Sequence, residues 1–116
     1  MTPLAEVRVE WHGDVPVAAV EGEVDAANAA AVGDDLRGLL TNRSTDLVVD
    51  LSPTRYLDSA GINLLFGLVE ELRTRQLTLR LVIARGSPVA RMLALTGLDR
   101  ASPTYGAVHE ALSAVA

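Results

Sequence analysis

Cysteine and lysine are both missing from this chain of 116 residues. The absence of cysteine excludes a disulfide framework, a thiol nucleophile and a cysteine metal site, and it leaves the redox compartment undecided. Positive charge is scarce, because ten arginines stand against fifteen acidic residues and leave a net charge of −5. That balance argues against a nucleic-acid partner, since nucleic-acid binders carry a basic surface.

Long apolar runs are missing as well. The longest strongly apolar run without charge covers residues 59–69, well short of the roughly 20 residues that span a bilayer. The first residues, MTPLAEVRVE, lack the basic start and apolar core of a secretory signal, so we expect a cytoplasmic protein that does not enter a membrane. With 49% hydrophobic residues the chain can build one core but not two, which predicts a single domain over residues 1–116.

Catalytic patterns are scarce too. The two histidines, His12 and His109, are far apart in sequence and lack ligand spacing, so we expect surface or structural roles for them and no metal site. No glycine-rich phosphate loop is present, and Ser59 is not part of a G-x-S-x-G elbow. We therefore predict no catalytic residues, no cofactor and a protein that is not an enzyme.

Short apolar stretches alternate with helix-like stretches along the chain. Strands are predicted at residues 7–11, 15–21, 47–51 and 77–83, with a short one near 100–102. Helices are predicted at residues 26–40, from the end of the 55–61 loop to about 75, from 88 to about 96, and at 105–116. This order predicts an α/β layer fold in which right-handed crossovers join parallel strands.

The stretch RYLDSAG, residues 55–61, lies between a predicted buried strand and a predicted helix. In α/β sheets ligands collect where a strand's carboxyl end leads into a helix, because the helix N-terminus offers free N–H groups and the positive end of its dipole. Asp58 or Ser59 could equally serve as the helix cap. The residues alone leave both interpretations of Ser59 open, a structural cap or a displayed hydroxyl.

Four motifs occur in a fixed order: Gly22-Glu23-Val24-Asp25; LVVDL leading to Leu57-Asp58-Ser59-Ala60-Gly61; Ser87-Pro88-Val89-Ala90-Arg91; and Leu95-Thr96-Gly97-Leu98. With these motifs the chain closely resembles STAS domains of the anti-sigma factor antagonist type over nearly its whole length. The resemblance implies a single-layer mixed β-sheet of four to five strands, with about four helices packed mainly on one face.

The resemblance also implies a phosphorylation site. In this family the serine that follows the aspartate of an aspartate-serine-serine/threonine-glycine motif is phosphorylated by the cognate anti-sigma factor, a serine kinase that binds the ATP itself. That serine matches Ser59, while Ala60 stands where a second hydroxyl residue is common. By the same resemblance the loop of Asp25 helps to engage the kinase or its nucleotide, although propensity alone predicts Asp25 as the cap of the helix that follows.

The implied function is a switch in bacterial transcription. Unphosphorylated protein would bind the anti-sigma factor and release a sigma factor, phosphorylation of Ser59 would end binding, and a phosphatase would reset the switch. The expected partner-binding residues, with Leu57 and Leu64 exposed around the hydroxyl, are Asp25, Leu57, Asp58, Ser59, Ala60, Gly61 and Leu64. Two alternatives remain: a STAS subunit of a lipid or anion transport system, and a small-ligand or nucleotide-sensing module that uses the same helix N-terminus.

Overall fold

The fold is built around one mixed sheet. The computed structural model describes residues 4–40 and 45–115. Its strands are β1 (Ala5–His12), β2 (Val15–Val24), β3 (Leu47–Asp50), β4 (Thr54–Leu57), β5 (Leu79–Val82) and β6 (Thr104–Tyr105). The helices are α1 (Ala29–Arg37), α2 (Ser59–Thr74), α3 (Pro88–Thr96), the single turn α4 (Leu98–Ala101) and α5 (Val108–Ser113).

The strand order is β1-β2-β3-β5-β6, and β4 also pairs with β2. Strand β1 runs antiparallel to its neighbour β2, whereas β3, β4, β5 and β6 all pair in parallel. Strand β3 is buried on both faces, because Leu47 and Val49 face one apolar cluster and Val48 faces the other. This confirms the prediction of a covered strand at residues 47–51.

The helices divide unequally between the two faces of the sheet. Side chains of α1, α2, α3 and α4 form the larger cluster with strand residues such as Val20 and Leu81. Of the helices in the described ranges, only α5 packs on the opposite face, where Ala111 meets Val48 and Val82. The predicted mixed sheet with helices mainly on one face is confirmed, with six strands and five helices in the described part of the chain.

Local sequence signals account for two of the helices. The apolar spacing of three and four residues along α2 buries Ile62, Leu65, Val69 and Leu72, as predicted. Helix α3 begins with Pro88 after Ser87, whose Oγ accepts a hydrogen bond from the N–H of Ala90 at 3.1 Å. It ends at Gly97, which adopts the left-handed conformation with φ of 81°.

Strand β2 pairs with a different strand along each of its halves. Residues 17–19 of β2 pair with β3, whereas residues 22–24 pair with β4, and the register shifts between Gly22 and Glu23. Gly22 has φ of +107°, and a Cβ there would lie 2.0 Å from the carbonyl oxygen of Leu4. The prediction that this strand ends at residue 21 is wrong, because β2 continues to Val24 and pairs there with β4, where Arg55 of β4 is the extra residue of the register shift.

Three other predictions about helices and strands are wrong. Helix α1 begins at Ala29 instead of Ala26, because residues 26–28 form a turn. Strand β4 occupies residues that the sequence placed in a loop, and a helical turn, α4, stands where a strand was predicted near residues 100–102. The last two differences arise in segments of about four residues, which carry too little periodicity to reveal their partners.

Candidate functional site

Asp58 caps helix α2. Its Oδ1 accepts hydrogen bonds from the backbone N–H of Ala60 at 2.8 Å and of Gly61 at 3.1 Å. These N–H groups belong to the first turn of the helix, where no backbone carbonyl is available to them. The cap therefore belongs to Asp58 and leaves the neighbouring serine free of that role.

Ser59 is the first residue of α2, and it is exposed. Within the described residues its hydroxyl makes no hydrogen bond to the protein. The hydroxyl thus stands at the positive end of a helix of sixteen residues. Of the two interpretations that the sequence left open, the displayed hydroxyl is the one that agrees with this geometry.

The start of α2 lies close against β2. The N–H of Asp58 donates to the carbonyl of Val24 at 3.1 Å, so that the end of β4 is held beside the end of β2. Gly61 is buried, and a Cβ there would lie 3.0 Å from Cδ2 of Leu57 and 3.2 Å from Cγ1 of Val24. The small residue at position 61 therefore sets how closely the helix approaches the sheet. Ala60 is half-buried beside it.

The loop of Asp25 is tied to the same helix start. The Oδ2 atom of Asp58 accepts a hydrogen bond from the N–H of Ala26 at 3.2 Å. Asp25 itself accepts from the N–H of Ala27 at 2.9 Å, which closes a local turn. The prediction that Asp25 caps α1 is wrong, because the capping position belongs to Asn28.

Asn28 holds this loop in place from its other end. Its Oδ1 accepts from the N–H of Asp25 at 3.0 Å, and its Nδ2 donates to the carbonyl of Glu23 at 2.9 Å. Since the side chain is occupied in this way, it makes no cap hydrogen bond to α1. The role of Asn28 was not predicted, and the one signal for it in the sequence was an amide residue three positions after Asp25.

An open groove of about 680 Å³ lies beside Ser59, between α2, α3 and β4. Its lining is largely apolar and consists of Tyr56, Asp58, Ser59, Ile62, Asn63, Phe66, Met92 and Thr96. Tyr56 is 48% exposed, although it is a large aromatic side chain. We call this surface the α2–α3 groove. This groove was not predicted, because its residues come from three elements and one of them, β4, was itself not predicted.

Leu57 and Leu64 do not surround the hydroxyl. Leu57 is 3% exposed and belongs to the core, so the expectation that it is exposed is wrong. Leu64 is half-buried and packs toward α1, where its Cδ1 would lie 2.7 Å from a Cβ placed on Gly33. At about 100° per residue, Leu64 lies about 140° around the helix from Ser59. The apolar surface next to the serine is the α2–α3 groove instead.

Among residues 4–40 and 45–115, no three histidine or acidic side chains are close enough to hold a metal ion. His12 and His109 are both exposed, in agreement with the expected surface roles. No helix in the described ranges is long and apolar enough to cross a membrane.

Known proteins share both the sequence pattern and the fold. Residues 6–111 match the family model described as STAS domain. The chain is 34% identical over 109 residues to the anti-sigma-F factor antagonist RsfB of Mycobacterium tuberculosis, covering 94% of this chain and 88% of that protein.

Solved structures of anti-sigma factor antagonists have a similar fold. The crystal structure of an anti-sigma factor antagonist from Mycobacterium paratuberculosis has a TM-score of 0.85 and 32% identity, covering 96% of this chain and 93% of that one. SpoIIAA in its unphosphorylated form has a TM-score of 0.74 at 19% identity, covering 93% of this chain and 94% of that one. SpoIIAA of Bacillus in the phosphorylated form has a TM-score of 0.67 at 19% identity and covers 93% and 97%. At this identity the SpoIIAA likeness concerns the fold alone.

Proposed function

This chain belongs to the STAS domain family, and we propose that it is an anti-sigma factor antagonist whose Ser59 is a phosphorylation switch. The unphosphorylated protein binds an anti-sigma factor in the cytoplasm and so releases a sigma factor. The anti-sigma factor is also a serine kinase, and it supplies the bound ATP. A phosphatase returns the protein to its binding form.

The observation that carries this proposal is the position of the Ser59 hydroxyl. Asp58 already takes the N–H groups of Ala60 and Gly61, so the serine is not needed to cap the helix. An exposed hydroxyl at a helix start is accessible to a kinase and tolerates an added anion, because the helix dipole favours negative charge there. Two relatives, RsfB and the Mycobacterium paratuberculosis protein, are described as anti-sigma factor antagonists, which supports the choice of partner.

The α2–α3 groove provides the apolar part of the proposed binding surface. Tyr56, Phe66 and Met92 line it together with Ser59, so a partner that covers the groove also covers the hydroxyl. Burying an exposed aromatic ring is among the largest single contributions to protein association. Leu57 and Gly61 are buried and contribute indirectly, because their packing positions the start of α2. Leu64 and Ala60 are half-buried residues of the same helix and help to hold it in place.

Phosphorylation would disrupt binding by adding charge at the rim of this groove. A phosphate adds about −1.5 to −2 charges at neutral pH, next to the carboxylate of Asp58. The N–H groups of Ala60 and Gly61 already donate to that carboxylate, so they can hydrogen-bond to the phosphate only if the Asp58 carboxylate is displaced. The anion then needs water, which a bound partner excludes. A hundredfold loss of affinity requires only about 2.7 kcal/mol.

Asp25 is proposed to engage the kinase or its nucleotide. Its carboxylate does not cap α1, and its loop is joined to the phosphosite by the hydrogen bond from Ala26 to Asp58. The residue is half-buried and lies on the same loop as two exposed neighbours, Ala26 and Ala27. Loss of phosphorylation in Asp25→Asn with an unchanged melting temperature would support this role.

Intact-mass measurement tests the switch. The protein is incubated with ATP and the candidate anti-sigma factor kinase, and a gain of one phosphate is expected for wild type and for Ser52→Ala, which removes another exposed serine. Ser59→Ala should gain none. If phosphate is added equally to Ser59→Ala, or if no candidate kinase modifies wild type while the protein binds a transporter subunit or a nucleotide, the proposed switch is wrong.

A further inference from the structure

Strand β1 forms one edge of the sheet and is open along its outer side. It is eight residues long and pairs only with β2 in the described part of the chain. Two large apolar side chains on it are unusually exposed, Val9 at 41% and Trp11 at 53%. Proteins usually protect such an edge against pairing, because a long strand with free backbone groups and apolar side chains pairs readily with another strand.

The backbone groups of β1 that face outward can be identified. The N–H of Glu23 donates to the carbonyl of Leu4 at 2.9 Å, and the pairing with β2 continues without a bulge from Ala5 to His12. Backbone groups alternate in direction along a strand. The even-numbered residues therefore bond to β2, and the odd-numbered residues, including Val7, Val9 and Trp11, direct N–H and C=O toward the open side.

The sequence of β1 is complementary to itself in one antiparallel register. When a second copy pairs about a two-fold axis at Val9, the facing pairs are Val9 with Val9, Val7 with Trp11, Arg8 with Glu10 and Glu6 with His12. The odd-numbered pairs then form a continuous apolar stripe on one face. On the other face Arg8 of each copy, which also pairs with Glu21 of its own chain, meets Glu10 of the other copy. Opposite charges and apolar groups that face each other directly across strands stabilise their pairing.

Neighbouring registers lack this match. With the axis at Arg8, two arginines face each other and Glu6 faces Glu10. With the axis at Glu10, two glutamates face each other instead. An axis at Val7 pairs Glu6 with Arg8 instead, but it moves Trp11 past the end of the other copy's β1, which begins at Ala5. Like charges that face each other across strands are destabilising, so the register centred on Val9 is favoured.

We propose that this protein forms a two-fold symmetric dimer by pairing β1 of two copies, with Val9 on the axis, so that the two six-stranded sheets become one continuous sheet. The pairing satisfies the outward N–H and C=O groups of Val7, Val9 and Trp11 and covers the tryptophan. It is independent of the proposed switch, because β4, which leads to Ser59, pairs with the other side of β2. Each dimer thus presents two accessible Ser59 sites.

Sedimentation velocity of the full chain from about 1 μM to about 1 mM tests the dimer, a range that covers dissociation free energies of about 4 to 8 kcal/mol. Wild type should shift from monomer to dimer within this range. Val9→Lys places two ammonium groups on the axis and should weaken dimerisation more than about tenfold. Leu95→Lys, at an apolar residue of α3 that is 76% exposed, should dimerise like wild type. A wild type that stays monomeric throughout, or a Val9→Lys variant that dimerises like wild type, would refute the proposal.

Disulfide trapping tests the register, because the chain contains no other cysteine. Facing residues of a hydrogen-bonded antiparallel pair have Cα atoms about 5.5 Å apart, which suits a disulfide. Mild oxidation should therefore convert Val9→Cys to a covalent dimer that retains the wild-type circular dichroism spectrum. In Val7→Cys the two sulfurs belong to residues offset by four positions, about 13 Å, and should stay reduced. Covalent dimer from Val7→Cys but not from Val9→Cys would overturn the register.

A charge exchange gives a second test that does not depend on cysteine. Arg8→Glu alone makes both cross-strand charge pairs acidic, and Glu10→Arg alone makes both basic, so each should weaken dimerisation. The double variant exchanges the two charges and should restore it. Failure of the double variant to recover, with all three proteins folded, would exclude the pairing of Arg8 with Glu10.

Discussion

The carboxylate of Asp58 accepts a hydrogen bond from the backbone N–H of Ala26, 3.2 Å away, and so joins two loops that are 32 positions apart in the chain. The same side chain caps α2 through Ala60 and Gly61. One residue therefore holds both the helix that displays Ser59 and the loop that contains Asp25. The geometry of the proposed phosphosite depends on it more than on the serine.

Asp58→Ala should lower the free energy of unfolding by about 2 kcal/mol, because it removes the helix cap and the link to Ala26 together. Urea unfolding followed by circular dichroism measures the change. Asp35→Ala provides the matched control, since Asp35 is exposed on α1, and should change stability by less than about 0.5 kcal/mol. Equal stability of the two variants would contradict the capping role.

Ser59→Asp should weaken binding of the anti-sigma factor at least about tenfold, since it places a carboxylate at the rim of the α2–α3 groove. Stability should be nearly unchanged, because the residue is exposed and a negative charge is tolerated at a helix start. Titration calorimetry measures binding, and circular dichroism checks the fold. Ser59→Ala should bind like wild type. An unfolded Ser59→Asp variant would show that the residue is structural.

Tyr56→Ala should also weaken binding of the anti-sigma factor, by about 1 kcal/mol or more, if the partner covers the α2–α3 groove. The ring is 48% exposed, so its loss should affect stability little. Trp11→Ala is the control, because Trp11 is similarly exposed, at 53%, but lies on β1. If Trp11→Ala reduces affinity and Tyr56→Ala does not, the partner binds at the sheet edge instead.

Gly22→Ala should destabilise the fold by about 2 kcal/mol or more. The position has φ of +107°, and an added Cβ would lie only 2.0 Å from the carbonyl oxygen of Leu4, so alanine requires the backbone to move. Thermal unfolding measures the loss. Gly13→Ala has a positive φ of 61° but no atom within 4 Å of the added Cβ, and it should cost less. Equal losses in both variants would mean that backbone conformation alone, and not the clash, decides the effect.

Asp46→Asn should cost about 1 to 3 kcal/mol, because Asp46 pairs with Arg80 at 2.8 Å and the two side chains are only 14% and 15% exposed. Burial lowers the pKa of Arg80, but hydrogen bonds to Tyr105 and Asp46 raise it above its ordinary value overall. A cation with a raised pKa contributes stability that is complete below its unfolded pKa and is lost only as the pH rises through the folded value.

Arg80 consequently stays charged throughout the neutral range. The difference in unfolding free energy between wild type and Asp46→Asn should be constant from about pH 6 to about pH 9. Chemical denaturation at several pH values measures it. A difference that shrinks toward pH 9 would show that Arg80 loses its proton much earlier than this pairing implies.

Those parts of the fold that depend on residues a few positions apart in the sequence could be predicted. The spacing of Ile62, Leu65, Val69 and Leu72 predicted the buried face of α2, and Ser87 with Pro88 predicted the start of α3. These patterns work because a helix interacts chiefly with residues three or four positions away. The position of Ser59 at a helix start was predictable for the same reason.

The wrong predictions concern contacts between distant residues. Whether Asp25 or Asn28 caps α1 depends on how Asn28 is held by Glu23 and Asp25. Whether Leu57 is exposed depends on β4, a strand of four residues that pairs with the end of β2 across a register shift. Neither relationship leaves a periodic pattern in the sequence.

The amino-acid sequence by itself determined the alternation of strands and helices, the capping chemistry around residues 58 and 87, and the family motifs, because each of these is written in residues close together. Only the tertiary structure decided that Asp58 joins Ala26, that Tyr56, Phe66 and Met92 share a groove with Ser59, and that β1 is an open edge. The physical reason is that these properties depend on which strands pair and which faces pack. Pairing and packing are settled by the whole core at once.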